Sequence, residues 1–323
     1  MSRPGVPYPD DHSFVQALTH AAKVQAGVSG KPVNRVLTEG YFDRFLVRVF
    51  KDRDSQWFVK GGTALLAREP LARETRDIDL ATSESDFETA LDALQNAVQE
   101  DAGDHLGIVA KFDRPLVMPT ASQRTTGGRL IVTISAVGKA VSRFGVDMVV
   151  SEPPVGEIET ITPRTRLHLP RPVFTADYRL YPLPDQIADK IYATVAPRNN
   201  SPVPFSTRVK DLVDLAIYAR TQTVYMRQLR TALKQRLETL HTPPRQFGVP
   251  EDWRRRFRSR KLRTPLVDAS DYDGAVRDAT ELSAAVFDES VSDDAVWTPE
   301  RRWTLSPRAV SYTHLTLPTK RIV

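Results

Sequence analysis

The chain contains no cysteine, which excludes disulfide frameworks and thiolate-ligated zinc and favours an intracellular protein. It has no apolar run of the roughly 18 residues that a membrane-spanning helix needs. Its polar, proline-bearing start, Met1 to Asp11, lacks the basic cluster and apolar stretch of a secretory signal. The expected location is the cytoplasm, with no membrane partner. Histidines are few and scattered: His12, His20, His105, His168 and His241 show no metal-ligand spacing, so zinc chemistry is not expected. A P-loop is also missing, because Gly30-Lys31 lacks the upstream glycine and is followed by Pro32 instead of serine or threonine. No Gly-x-Ser-x-Gly elbow occurs either.

What is present is a chain of 323 residues, 41% of them hydrophobic, enough for one large core or two smaller ones. The formal charge of +5 is inflated at the end. Val310 to Thr319 resembles the translation of a common sequencing adapter, so residues 310–323 are expected to be an artefact and the natural C-terminus to be missing. Without Lys320 and Arg321 the charge falls to +3. The remaining basic character is local: Arg254, Arg255, Arg256, Arg258, Arg260, Lys261 and Arg263 crowd one short stretch. Such a run suits phosphate contact, although a charge run by itself reads first as a solvated connection.

Along the chain, Ser13 to Ala26 and Asn34 to Phe50 have helical spacing, the second behind Asn34 as a candidate cap. Trp57 to Val59 reads as a strand that runs into Gly61-Gly62-Thr63 and a helix start at Ala64. Ile78 and Leu80 alternate with Asp77 and Asp79, which is strand periodicity, and Ser85 to Gln99 follows as an amphipathic helix with Ser85 as its cap. Leu106 to Phe112, Arg129 to Ile134 and Phe144 to Val150 read as further strands. Prolines including Pro163, Pro170, Pro172 and Pro182 break the stretch from Pro153 to Pro184, which is expected to cross the surface as extended chain. Beyond it, Asp185 to Thr194, Ser206 to Arg220, Tyr225 to Leu240 and Tyr272 to Phe287 read as helices with no strand between them. The expected fold class is α+β, a mixed sheet with flanking helices followed by a helical C-terminal domain. The corresponding domains are an N-terminal helical segment at 1–50, a core at 51–175 and a helical domain at 176–309 that completes the site and binds the acceptor.

Three carboxylates and one glycine turn carry the chemistry. Residues two apart in a strand share a face, so Asp77 and Asp79 present two acids side by side. Like charges that close either face water or share a hard cation, and oxygen-only ligands suit magnesium or manganese. Asp147 offers a third acid, since Val146 and Met148 take the opposite face of its strand. Gly61 and Gly62 permit close approach of backbone to ligand, and Thr63 opens a helix whose unpaired amides favour phosphate. Together these parts suit in-line attack on an α-phosphate, hence nucleotidyl transfer from a nucleoside triphosphate. In isolation a Gly-Gly-Thr triplet is usually only a turn, and an Asp-Ile-Asp triplet is often a strand edge.

The order and spacing of Gly62-Thr63 and Asp77 to Leu80 resemble the signature of the polymerase-β-like nucleotidyltransferase superfamily. A wider resemblance, from about Phe58 to Leu215, is to the AbiEii/AbiGii toxin family of nucleotidyltransferases. Phe58 to Leu65 resembles that family's opening motif, and Arg73 to Leu80 its arginine-containing approach to the paired acids. Leu183 to Ile191 resembles its lysine-bearing helix, and Arg208 to Leu215 its closing Arg-x-Lys-Asp-x-x-Asp motif. The resemblance implies a polymerase-β-like sheet and a catalytic set of Asp77, Asp79, Asp147, Lys190 and Asp211. Metal would be held by Asp77, Asp79 and Asp147, and nucleotide by Gly61, Gly62, Thr63, Arg76 and Lys190. It also implies a toxin of a bacterial toxin-antitoxin pair with a role in phage defence, a cognate antitoxin as partner and an acceptor such as tRNA.

The helical motifs also admit structural readings. Ile187 and Ile191 can anchor a core face and leave Lys190 projecting elsewhere, toward a triphosphate or as a surface lysine paired with an acid one turn away. Val209, Leu212, Val213 and Ile217 form an apolar stripe, which leaves Arg208 free to pair with Asp211 and Lys210 with Asp214. The competing function is a catalytically silent module that grips RNA or a protein through Arg254 to Arg263 and a basic helix bearing Arg227, Arg230, Lys234 and Arg236. Nucleotidylation of a protein or small molecule is a second enzymatic alternative. Retention of all three aspartates favours catalysis.

Overall fold

The computed structural model describes residues 7–84, 86–116, 126–151, 153–195, 208–238, 244–258, 262, 264–268, 270–300 and 302–305. Two packed helices come first, α1 (Asp11–Ser29) and α2 (Val33–Val49). Asp10 caps α1 by accepting a hydrogen bond from the Ser13 amide at 2.7 Å. The expected Asn34 cap is not used. Helix α2 starts one residue earlier, behind Pro32, whose φ of −59° already suits helix entry.

The next elements build the sheet: β1 (Trp57–Lys60), α3 (Gly61–Arg68), β2 (Asp77–Thr82), α4 (Phe87–Gln99), β3 (Gly107–Pro115), β4 (Thr126–Ala136) and β5 (Lys139–Val150). Ser85, the expected cap of α4, lies outside the described residues, and Asp86 performs that role by accepting from the Thr89 amide at 2.8 Å. The basic residues Arg260, Lys261 and Arg263, and residues 310–323 with the adapter-like stretch, also lie outside them.

Two further strands come from the proline-broken stretch, which was expected to be extended surface chain: β6 (Glu159–Ile161) and β7 (Tyr178–Leu180). The prolines flank these strands instead of interrupting them, and Tyr178 and Leu180 turn inward around Arg179. The seven strands lie in the order β3-β4-β5-β2-β1-β7-β6. Strand β2 runs parallel to β5 and antiparallel to β1, while β4 and β5 form an antiparallel hairpin. This is the mixed sheet of the expected α+β class.

One face of the sheet is closed. Ile78, Leu80, Val146 and Met148 are buried there with Phe14 and Leu18 of α1, Phe42 and Phe45 of α2, and Leu91 and Leu94 of α4. Because side chains alternate along a strand, that packing forces Asp77, Asp79 and Asp147 onto the other face.

The C-terminal part is built on α5 (Leu183–Val195), α6 (Val209–Thr221), α7 (Met226–Leu237), α8 (Trp253–Phe257) and α9 (Tyr272–Ala284). It is not wholly helical. Strands β8 (Val224–Tyr225), β9 (Ala295–Thr298) and β10 (Arg302–Leu305) form a small antiparallel sheet in the order β10-β9-β8. These strands are too short to show alternation in sequence. Trp297 on β9 is fully buried and donates its indole N–H to the Ala219 carbonyl at 2.9 Å, which ties the sheet to α6. Helix α3 joins the two cores: Ala64 and Ala67 pack in the first, Leu65 and Leu66 in the second.

Candidate active site

The strand register brings the three aspartates together. Asp79 on β2 is the direct partner of Asp147 on β5, and Asp77 is the partner of Gly145. All three lie on the open face of the sheet, partly exposed. Burial raises the Asp147 carboxyl above the ordinary carboxylate range; Arg129 pulls it down, and Asp79 and Asp77 push it up again.

The glycine turn sits directly against Asp79. Gly61 begins α3 at φ 60°, and a Cβ there would lie 1.9 Å from Asp79 Oδ2. Only glycine takes that backbone conformation cheaply, and only a residue without a side chain leaves room for the carboxylate. A Cβ on Gly62 would lie 2.9 Å from the Thr75 hydroxyl. Thr63 is buried, and its hydroxyl donates to the Asp77 carbonyl at 3.1 Å, which fastens α3 to the start of β2. Arg76 is exposed, one residue before Asp77.

Lys190 and Asp211 form a second, buried cluster. Lys190 does not project as a surface lysine: it is 6% exposed, and its Nζ lies 2.8 Å from Asp211 and 2.8 Å from Asp214, both on α6 and both fully buried. Asp214 also accepts two bonds from the Arg73 guanidinium, at 2.6 and 2.8 Å. Arg208 pairs with Asp211 at 2.9 Å, as its spacing suggested. Lys210 stays exposed, and Asp214 is committed to Arg73 and Lys190 instead. Burial raises the Asp214 carboxyl, but Arg73 and Lys190 outweigh it and hold the group well below the usual range. Burial likewise lowers Lys190, and Asp211 and Asp214 more than reverse it. Arg73 also interacts with Asp211 and with Asp79 of the acid group, and its guanidinium lies near the Gly62 backbone.

Two site neighbours were not singled out in the sequence. Lys60 lies opposite Asp79 in the β1–β2 register, 3.3 Å from Asp189 and over the Tyr181 ring. Arg129, on β4, reaches Asp147 at 2.7 Å and Asp77 at 3.5 Å, and Gly145 lies beneath its guanidinium. Arg129 faces Asp147 because the β4–β5 hairpin shifts register between Ile134 and Ser135, an irregularity that no spacing in the sequence marks. Much of the expected basic surface is paired: Arg227 with Asp294, Arg230 with Asp293, Arg236 with Asp189 and Arg254 with Asp273.

The donor chemistry of three carboxylates on one face suits a hard divalent cation. Among the described residues no three His, Cys, Asp or Glu side chains already stand at metal-binding geometry; the Arg129 guanidinium lies between Asp77 and Asp147.

Among solved structures, MenT4, a nucleotidyltransferase toxin from Mycobacterium tuberculosis H37Rv, is similar with a TM-score of 0.51 and 16% identity, over 85% of this chain and 94% of that one. JHP933 from Helicobacter pylori is similar at 17% identity and a TM-score of 0.35, over 63% of this chain and 72% of that one. A nucleotidyltransferase structure from the same organism gives 16%, 0.36, 63% and 75%. A search of curated proteins by sequence finds no match. The mixed sheet with flanking helices is thus a fold shared with MenT4. The model of the AbiEii nucleotidyl transferase toxin, of type IV toxin-antitoxin systems, matches residues 44–295, and the chain belongs to that family. Membership implies a nucleoside triphosphate substrate and an antitoxin partner. Among the described residues no helix is long and apolar enough to cross a membrane.

Proposed function

We infer that the protein transfers a nucleoside monophosphate from a nucleoside triphosphate to tRNA in the cytoplasm, with magnesium or manganese held by Asp77, Asp79 and Asp147. The observation that carries this reading is the register that sets Asp79 beside Asp147, with Asp77 on the same face and the Gly61 turn against Asp79. When bound, the ion would supply charge neutralisation and polarisation at the reacting phosphate.

The chain's own groups divide the remaining work. The amino end of α3 directs unpaired amides toward the triphosphate, and Arg76 adds an exposed cation beside the acids. A terminal hydroxyl of the acceptor attacks the α-phosphorus; the new P–O bond forms as the bond to the β-phosphate bridging oxygen breaks, and pyrophosphate leaves. Asp147, set beside Asp79 by the strand register, is placed to accept the hydroxyl proton. Lys190 and Asp211 stabilise the adjoining helical wall through their buried pair and so position the nucleotide. Exposed Arg255 and Arg258 favour an acceptor rich in phosphate. Such a modification of tRNA would be the toxic act and would serve phage defence.

The test is incubation with each labelled nucleoside triphosphate, magnesium and total tRNA, with Asp79→Ala alongside. Transfer by the intact protein and at least a thousandfold loss, roughly the scale of removing transition-state charge stabilisation, is expected for the variant. Equal labelling by both proteins would contradict the reading, and so would none with any of the four nucleotides. Label moving to protein instead would retain the chemistry and replace the acceptor.

A further inference from the structure

Arg129 on β4 pairs with acids on two other strands of the sheet. It stands opposite Asp147 on β4, and its guanidinium crosses β5 to meet Asp77 on β2, one strand further away. The crossing is open because residue 145 is glycine: a Cβ there would lie 2.2 Å from Arg129 Nη2 and 2.7 Å from Cζ. The contact is tight to Asp147, at 2.7 Å, and loose to Asp77, at 3.5 Å from both terminal nitrogens. The three side chains are 23%, 24% and 37% exposed for Arg129, Asp147 and Asp77, so water can replace the guanidinium on both acids. A buried structural pair such as Arg73 with Asp214 has no such freedom.

We propose that Arg129 is an exchangeable counter-ion of the acid cluster, which holds Asp77 and Asp147 together and competes with the divalent cation for them. This rests on the metal-holding role proposed for the three acids. Metal binding and the ion pair use the same carboxylates, so each opposes the other.

Manganese binding without nucleotide, by titration calorimetry and electron paramagnetic resonance, tests this with the full chain. Arg129→Ala is expected to bind manganese about tenfold tighter than the parent, the order of effect of one opposite charge at ion-pair distance on a neighbouring ionic equilibrium. Gly145→Ala keeps the cation but fills its path, and is expected to tighten binding in the same direction. A loss of folding alone would weaken binding, not strengthen it. Unchanged or weaker manganese binding in both variants, with the parent binding, overturns the competition and leaves the metal reading intact. Absence of binding by all three proteins overturns the metal reading itself, and the inference with it.

Discussion

Gly61 shows how much of the site is set by single residues. Its positive φ and the 1.9 Å approach of Asp79 Oδ2 to any added Cβ make it a fixed mould for one carboxylate. Gly61→Ala is expected to cost about 1–2 kcal/mol from the left-handed backbone and to push Asp79 off its position, with a fall in nucleotide transfer larger than the fall in stability explains. Denaturant unfolding and label transfer on the same preparation check this; a variant destabilised but fully active would show that the turn does not set Asp79. The paired acids were legible in the sequence because period-two alternation with Ile78 and Leu80 fixes their face. Arg129 and Lys60 were not, because their proximity comes from strand order and register, which local spacing does not encode.

Among the elements, α6 is where local pattern and structure part most. An apolar stripe of Val209, Leu212, Val213 and Ile217 suggested that Asp211 and Asp214 lie outside the core, but α6 is buried on nearly every side, so both acids are enclosed. A helix surrounded by other elements has no solvent face to give it a period. Its acids are tolerated because Lys190 and Arg73 meet them, and removing one partner of such a buried cluster typically costs about 3–5 kcal/mol. Asp214→Asn is expected to lose stability on that scale near neutral pH. Since the folded Asp214 carboxyl titrates below its unfolded value, its contribution is full above about pH 4 and is lost as pH falls toward the folded pKa. The stability gap between parent and variant should therefore narrow below about pH 4 in equilibrium unfolding. A gap that stays constant would assign the cost to packing and not to charge. The strands in the proline-broken stretch and the small sheet on β8 to β10 escaped prediction for a related reason: segments of two to four residues are defined by their partners.

At the scale of the molecule, two hydrophobic cores meet at α3, so the helix that opens with the glycine turn is gripped from both sides. Arg73 makes a second tie, from the approach to β2 across to Asp214 on α6. The sheet with its acids and the helical wall are thereby tied together, and the chain belongs to the AbiEii family. The most direct measurement is an anomalous-diffraction map of crystals grown with manganese and a non-hydrolysable nucleoside triphosphate. The predicted result is a peak within about 2.0–2.2 Å of oxygens from Asp77, Asp79 and Asp147, with the triphosphate running to the start of α3. A nucleotide seated elsewhere, or manganese away from these carboxylates, would contradict the account.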